Sequence, residues 1–265
     1  MRIASSFLLA WCVISPATAA VPASAQNPQI CPRDGDVPAS FAAPVSAASF
    51  RTREGKEIRL AGVIGPGEDG EILSKPDSAA ARAALAYLLS GQTLSIVTVA
   101  APDRYQRVSA DVFVDGKWVQ EAMLRQGLLR VSPEFSAGVC LMMLLNAEQE
   151  AARKMAGHWG DGSFKFRTPD QVTGRAGKFE IVQGEVWRTR FAKGKNVIEF
   201  ANASSFELTV STELARMLRQ NGIDVRRLRG QVLRVRGWIG LDERPEMELL
   251  QPGALQLIGK TVRRR

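Results

Sequence analysis

The stretch DRYQRVSADVFVDGKWVQEAMLRQGLLRV, Asp103–Val131, is the part of this sequence that decides its fold. Apolar and polar residues alternate from Val108 onward, which predicts a strand with one buried face, and Asp115-Gly116 predicts a tight turn. The residues up to Gly127 then have the spacing of a short helix that ends at a glycine. We therefore expect a pair of strands followed directly by a helix.

Strands and helices alternate on both sides of this stretch. Ser49–Val63 predicts a β-hairpin. Asp77–Gly91 predicts a helix whose N-cap is Asp77 or Ser78. The stretch from Val139 predicts a longer amphipathic helix that stops near Gly157.

After Gly160 the composition turns polar and rich in glycine, and strand patterns then dominate. One helix interrupts the strands, with Ser211 as its N-cap and Gly222 at its C-terminal end. Three strands, a helix and two strands are the order expected of a small five-stranded OB-type barrel. The second half is therefore predicted to be a separate small OB-like β-barrel domain.

The first residues have the composition of a secretory signal. An apolar stretch, Phe7–Ile14, follows an early cation, and both Ala17–Ala19 and Ala23–Ala25 fit a small-x-small cleavage site. Because about 20 apolar residues are needed to cross a bilayer, we expect a cleaved signal and no transmembrane span in the mature chain. A retained membrane anchor is the alternative. With cleavage near Ala20 or Ala25, the protein would be secreted or periplasmic.

Export changes the interpretation of the cysteines and of the charge. Cys12 leaves with the signal, so Cys31 and Cys140 remain, and an oxidising compartment favours a disulfide between them; two buried free thiols are the alternative. The formal net charge is +8 for the full chain, and about +7 without Arg2. This balance favours an anionic partner such as nucleic acid or membrane phosphate.

Three segments carry a pattern that is more specific than secondary structure. They are IRLAGV from Ile58, the stretch Asp103–Val131, and LLNAEQEAARKMAGHWG up to Gly160. Together they resemble the staphylococcal nuclease (thermonuclease-like) family over about Val45 to Gly160. The resemblance implies an OB-type five-stranded barrel with packed helices, and so a mainly β chain with α-helices (α+β). Active members of that family hydrolyse phosphodiester bonds in DNA and RNA with calcium.

The resemblance implies a site of two arginines, calcium-binding carboxylates and a carboxylate base. Arginines can clamp phosphate oxygens, carboxylates hold calcium, and a further carboxylate activates the attacking water. Arg59 and Arg107 match the two arginines, and Tyr105 matches the aromatic residue before the second one. These three residues are the candidates for binding a phosphate or a base.

The positions that match the carboxylates carry other residues. Ile64 stands at one metal-ligand position, Ala48 at the other, and Gly67 at the position of the base. Since none of these side chains can ligate a cation or accept a proton, we expect a degenerate site with no cofactor. The alternative is an active phosphodiesterase with a rearranged site, in which Glu68 is the base and calcium is retained.

The retained residues also have purely structural interpretations. Arg59 could pair with an acidic residue of the barrel, and Arg107 could be a surface strand residue. The candidate partners of Arg59 are Glu57, Asp111 and Glu121. The acidic run from Glu68 to Glu71 could be a solvated loop.

The second half resembles the OB-type domain that follows the nuclease-like domain in some exported proteobacterial proteins, through VQGEV, VIEF, LRGQVLRVRGWIG and PGALQLIG. OB barrels often bind oligonucleotides or sugars through aromatic and cationic side chains. The candidate face consists of Trp187, Arg188, Arg190, Phe200, Arg234, Arg236 and Trp238. Burial of its three aromatic residues in the core is the alternative. Arg226, Arg227 and Arg229 are interpreted as a solvated basic patch.

The predicted organisation has six parts. They are a signal peptide at 1–25, an N-terminal arm at 26–44, a thermonuclease-like domain at 45–160, a linker at 161–177, an OB-like domain at 178–259 and a basic tail at 260–265. The expected partner is nucleic acid or another polyanion, or a protein in the cell envelope.

Overall fold

The structure is a computed structural model that describes residues 37–70, 75–132, 134, 138–201, 205–240 and 244–260. The first part of the chain contains β1 (Val37–Pro44), β2 (Ser49–Thr52), β3 (Glu57–Leu60), β4 (Val63–Ile64), α1 (Lys75–Leu89), β5 (Thr93–Thr98), β6 (Val108–Val114), β7 (Lys117–Trp118), α2 (Val119–Arg125), β8 (Arg130–Val131) and α3 (Gly138–Lys154). The second part contains β9 (Phe179–Ala192), β10 (Lys195–Phe200), β11 (Glu207–Ser211), α4 (Thr212–Gln220), β12 (Gln231–Trp238), β13 (Glu246–Leu249) and β14 (Leu255–Lys260).

Five strands of the first part form a closed barrel. Antiparallel pairs join β3 to β2, β2 to β1, β1 to β5, and β5 to β6. A parallel pair between β3 and β6, with Arg59 opposite Ser109, closes the ring. Val114 and Lys117 pair across the predicted Asp115-Gly116 turn, where both turn residues have positive φ. The mixed α+β fold with a five-stranded barrel is therefore confirmed.

The barrel core follows the alternation in β3 and β6. Ile58, Leu60, Ala110 and Val112 are buried in one apolar cluster, which α1, α2 and α3 also contact. Arg59 and Ser109 alternate with these residues and so point to the opposite face.

Helix α1 begins at Lys75, two residues before Asp77, the first of the two predicted N-caps. The N–H groups in the first turn of a helix have no intrahelical partner, so this turn accepts Pro76, which has no N–H.

The second sheet repeats the strand order of the first. Antiparallel pairs join β11 to β10, β10 to β9 and β9 to β12, and a parallel pair joins β11 to β13. A single bridge between Ile239 and Met247 links the end of β12 to β13. The Ser211 side chain accepts a hydrogen bond from Leu214 N–H at 3.1 Å, as predicted for an N-cap. The predicted five-strand order omits β14, which pairs with β12.

Several predictions concern residues that the structure does not describe. The proposed signal peptide, Cys31 and residues 261–265 of the basic tail lie outside the described residues. Cys140 lies in the first turn of α3 and is partly buried. Residues 37–44, which the sequence assigns to the N-terminal arm, form β1 of the barrel because they pair with β2 and β5. The disulfide, the signal and the other domain boundaries stay predictions. No helix in the described ranges is both long and apolar enough to cross a bilayer.

A buried ion pair joins the second sheet to α3. Arg236 of β12 contacts Glu148, with Nη1 and Oε2 2.8 Å apart and side chains 0% and 1% exposed. The same Nη1 donates to the Val131 carbonyl oxygen at 3.2 Å, and Glu148 Oε1 accepts from Val131 N–H at 2.7 Å. The contact therefore connects β12, α3 and β8 in one polar network.

Part of the face predicted on the second domain is wrong. Arg234 and Arg236 are buried because alternate positions of β12 face α3 instead of solvent. The guanidinium carbon of Arg234 lies 3.6 Å from the centre of the Phe166 ring. Phe200 belongs to the core of the second sheet, as the alternative interpretation expected, whereas Trp187 and Trp238 remain partly exposed.

Replacing Glu148 with Gln should lower the free energy of unfolding by about 3–5 kcal/mol, because Arg236 would stay buried without a counter-charge. Urea denaturation of wild type and variant at neutral pH measures this loss. The matched control is Glu248→Gln, which removes the exposed Lys195 pair and should cost less than about 1 kcal/mol. Equal losses in the two variants would contradict the role given to the buried pair.

Candidate functional site

Arg59 lies in a small cleft of about 70 Å³ between the first barrel and β12. The other lining residues are Leu60, Gly62, Val63, Ile64, Glu68, Ser109, Ser132, Glu134 and Trp238. In the sheet, Arg59 is paired with Ser49 on one side and Ser109 on the other. The barrel closure thus places the arginine at this cleft, and the second sheet supplies an aromatic wall.

The Arg59 guanidinium forms no ion pair within the described ranges of the chain. Glu121 instead contacts Arg125, with oxygen and nitrogen 2.9 Å apart. Asp111 accepts a hydrogen bond from Gln120 Nε2 at 3.2 Å. The ion pair between Arg59 and an acidic residue of the barrel is therefore absent from the described part of the chain. The positive charge of Arg59 is available to a ligand.

Glu68 shares the cleft with Arg59, but its carboxylate is turned into its own loop. One oxygen accepts from Gly65 N–H at 3.0 Å, and the other accepts from the Ser46 hydroxyl. Close approach of the two segments requires glycine at position 65, because a Cβ there would lie 2.5 Å from the Cβ of Ala47. Glu68 therefore has a structural role in holding this loop against the start of β2.

The three substituted positions offer no metal ligand. Ala48 and Ile64 are 4% and 8% exposed and pack in the interior, and Gly67 is an exposed turn residue with φ +83°. Calcium takes six to eight oxygen ligands, whereas the carboxylates of this cleft are Glu68 and Glu134. No group of three or more His, Cys, Asp or Glu within the described residues is placed to hold a metal. The residues present do not fit a calcium ion.

Arg107 and Tyr105 lie in the loop before β6. Arg107 Nε and Nη2 lie 2.8 and 2.7 Å from Asp103 Oδ2. This pair raises the pKa of Arg107 and lowers the pKa of Asp103. The Arg107 guanidinium carbon lies 5.1 Å from the centre of the Tyr105 ring, which is 62% exposed. The loop thus presents a stacked arginine and tyrosine at the surface, and Arg107 does not line the cleft of Arg59.

Within the acidic run Glu68–Glu71, the two described carboxylates, Glu68 and Asp69, are held by other residues and not solvated as one interpretation expected. Asp69 is 2% exposed and forms an ion pair with Arg130, which is 5% exposed. Burial raises the pKa of Asp69 and lowers the pKa of Arg130, and the attraction between the two opposes both shifts. Phe179 N–H of β9 donates to the Asp69 carbonyl oxygen at 2.9 Å. The loop of the candidate site is therefore tied to the second sheet.

The fold and this geometry agree with a family comparison. Residues 57–161 match the family model described as staphylococcal nuclease homologue. This part of the chain is a staphylococcal nuclease-like domain. A search of curated proteins finds no match. The matched region contains Arg59, Arg107, Glu68 and the Asp69–Arg130 pair, and it ends before the second sheet begins.

Sequence reasoning missed two contributions to the site of the nuclease-like domain. Trp238 was placed on a different face, and the pairing of Asp69 with Arg130 was not expected. Arg234, Arg236 and Trp238 occupy alternate positions of β12 and so lie on one side of the strand, which agrees with their place together on one candidate face. Which surface that side meets is decided by contacts between distant segments.

Asp111 gives the nuclease-like domain a titratable group near neutral pH. It lies two residues after Ser109 in β6, and burial raises its pKa to about 6. Because this folded-state pKa is above the ordinary value of 3.8, ionisation of Asp111 opposes folding. The stability that comes from burying the protonated form of Asp111 is fully present below about pH 4. It is lost as the pH rises through about 6 and the buried carboxyl ionises.

Replacing Asp111 with Asn should raise the free energy of unfolding at pH 7 by about 3 kcal/mol and change it little at pH 4. Urea denaturation at pH 4, 5, 6 and 7 measures the difference. Asp115→Asn removes an exposed carboxyl from the neighbouring turn and serves as the control. The same gain in stability at every pH would show that titration of Asp111 is not its cause.

Proposed function

We propose that this protein binds nucleic acid or another polyanion through its nuclease-like domain and does not hydrolyse phosphodiester bonds there. The observation that carries this proposal is the guanidinium of Arg59, which forms no ion pair with any described residue and lies in a cleft where the carboxylate of Glu68 is held by Gly65 and Ser46. Without a calcium site, and with Glu68 held in its own loop, hydrolysis loses several kcal/mol of transition-state stabilisation, and each 1.36 kcal/mol is about tenfold in rate.

Charge supports the binding part of the proposal. The chain has 35 lysine and arginine residues against 27 acidic ones, and its pI is about 9.8. The exposed Tyr105–Arg107 stack adds a surface on which a base and a phosphate could be held together. We further propose that the protein acts outside the cytoplasm, after removal of residues 1–25 and with Cys31 bonded to Cys140.

The second candidate is an active phosphodiesterase, and one observation favours it. Glu68 and Arg59 line the same cleft, so a shift of the loop could release the Glu68 carboxylate to act as a base. Such a site would still need calcium ligands from other groups. The two candidates therefore differ in whether calcium changes the rate of digestion.

We expect the purified protein to digest single-stranded DNA no faster with calcium than with a chelator, because no complete ligand set surrounds Arg59. Release of acid-soluble nucleotides over time measures the rate. Glu68→Gln and Arg59→Ala should leave this background unchanged. Digestion that requires calcium and is lost in both variants would replace the proposal with the active phosphodiesterase.

We expect a fluorescent single-stranded oligonucleotide to bind, with an affinity that falls as salt rises from about 50 to 200 mM. Fluorescence anisotropy measures both the affinity and its salt dependence. Arg59→Ala should weaken binding, whereas Arg153→Ala, on the exposed face of α3, should weaken it less. The absence of binding at low salt would exclude a nucleic-acid role and favour a protein partner in the cell envelope.

A further inference from the structure

The second sheet has a larger basic cleft, which is separate from the cleft of Arg59. Its volume is about 670 Å³, and it lies between α4 and the β9–β10 hairpin. The lining residues are Thr189, Arg190, Phe191, Asn196, Thr212, Ala215, Arg216, Arg219 and Arg226. Four of them are arginines and none is acidic. Because Thr212, Ala215, Arg216 and Arg219 follow helical spacing, one face of α4 forms a whole wall.

The arginines of this cleft carry more positive charge than their neighbours neutralise. Arg190 is paired, since it contacts Glu199 at 2.7 Å and Glu207 at 2.8 Å. Asp224 is shared by two further arginines of the cleft, Arg219 and Arg226, and by the neighbouring Arg227. Its oxygens lie 3.9, 3.5 and 3.7 Å from nitrogens of these three side chains, in that order.

Arg216 contacts Glu213 only at 3.9 Å, and both side chains are more than 70% exposed. Such long and exposed ion pairs contribute little, so these guanidiniums remain free to bind a multivalent anion.

Aromatic side chains lie beside the same arginines. Phe191 lines the cleft and is 68% exposed, an unusual position for a large apolar residue. Trp187, four residues earlier in β9, is 51% exposed, and the Arg229 guanidinium carbon lies 5.3 Å from the centre of its ring. The Thr189 hydroxyl, between these residues in sequence, donates to the Arg226 carbonyl oxygen at 3.4 Å. The β9 strand and the segment Val225–Arg227 are thereby held together.

We propose that this cleft binds single-stranded nucleic acid, with Phe191 stacking on a base and Arg216, Arg219 and Arg226 contacting phosphates. Trp187 with Arg229 is the second stacking position along β9, about 13 Å from Phe191. The inference rests on the proposed nucleic-acid function and adds a second binding surface, on the second sheet, to the one at Arg59. Exposed aromatic rings favour single strands over duplexes, because unpaired bases offer their faces for stacking.

The test measures binding of a fluorescent oligothymidylate of about twelve nucleotides by anisotropy at several salt concentrations. Replacing both Arg219 and Arg226 with Ala should weaken binding at least tenfold and make the salt slope shallower by about 1.4. The control with the same change of net charge replaces Arg82 of α1 and Arg153 of α3, both exposed, and should weaken binding far less.

Phe191→Ala tests stacking without changing charge. It should weaken binding about tenfold and leave the salt slope unchanged. Tyr87→Ala, which removes an aromatic ring 86% exposed on α1, should have no effect. Circular dichroism and thermal unfolding of each variant confirm that the fold is kept, as expected for exposed side chains.

The outcomes separate this inference from the proposed function. If the wild type binds and the Arg219 and Arg226 double variant loses no more affinity than the Arg82 and Arg153 double variant, the inference is overturned. The proposed function is left standing in that case. Loss of affinity in the arginine variant but not in Phe191→Ala would assign the cleft to a polyanion without bases, and so overturn the nucleic-acid assignment. No binding by the wild type would remove both.

Discussion

The ion pair between Arg236 and Glu148 is the constraint on which the arrangement of the described structure depends. A buried charge without a partner costs several kcal/mol, so α3 and β12 are stable together only when these two groups meet. That contact sets the position of the end of β12, where Trp238 then forms a wall of the Arg59 cleft. The second sheet therefore shapes the site of the nuclease-like domain.

Polar contacts of acidic side chains also hold the loop that follows Arg59 in place. Glu68 holds the loop to Ser46, and Asp69 holds it to Arg130 and to the backbone of Phe179. These contacts use the acidic residues of the loop for structure. A carboxylate that anchors a loop is poorly placed to activate water as well, because proton transfer requires it to face the substrate. Glu68 and Asp69 thus attach the loop to the rest of the described structure, and neither carboxylate is left facing the cleft of Arg59.

The sequence predicts correctly those structural features that are determined by residues close together in the chain. The alternation from Val108, the Asp115-Gly116 turn and the Ser211 cap are all present, because each is decided within a few residues. Sequence also placed Arg59 at the candidate site. It could not show that Arg234 and Arg236 are buried, since the same polar strand face is compatible with solvent and with another polar surface. The Asp69–Arg130 pair joins residues 61 positions apart, and no local pattern contains it.

The two sheets share a strand order but present their positive charge in different places. In the first barrel, Arg59 lies on β3, beside the parallel pair with β6. In the second sheet, the strands of the equivalent parallel pair, β11 and β13, contain no arginine, and the arginines of the cleft beside them are Arg190 of β9 and Arg244. A further group of arginines lies on α4 and in the segment Val225–Arg227. Because Trp238 of β12 forms a wall of the first cleft, Arg59 lies in a space of about 70 Å³, whereas the arginines beside α4 line a space of about 670 Å³. The second sheet thus narrows the space around Arg59 and presents arginines of its own in a wider cleft.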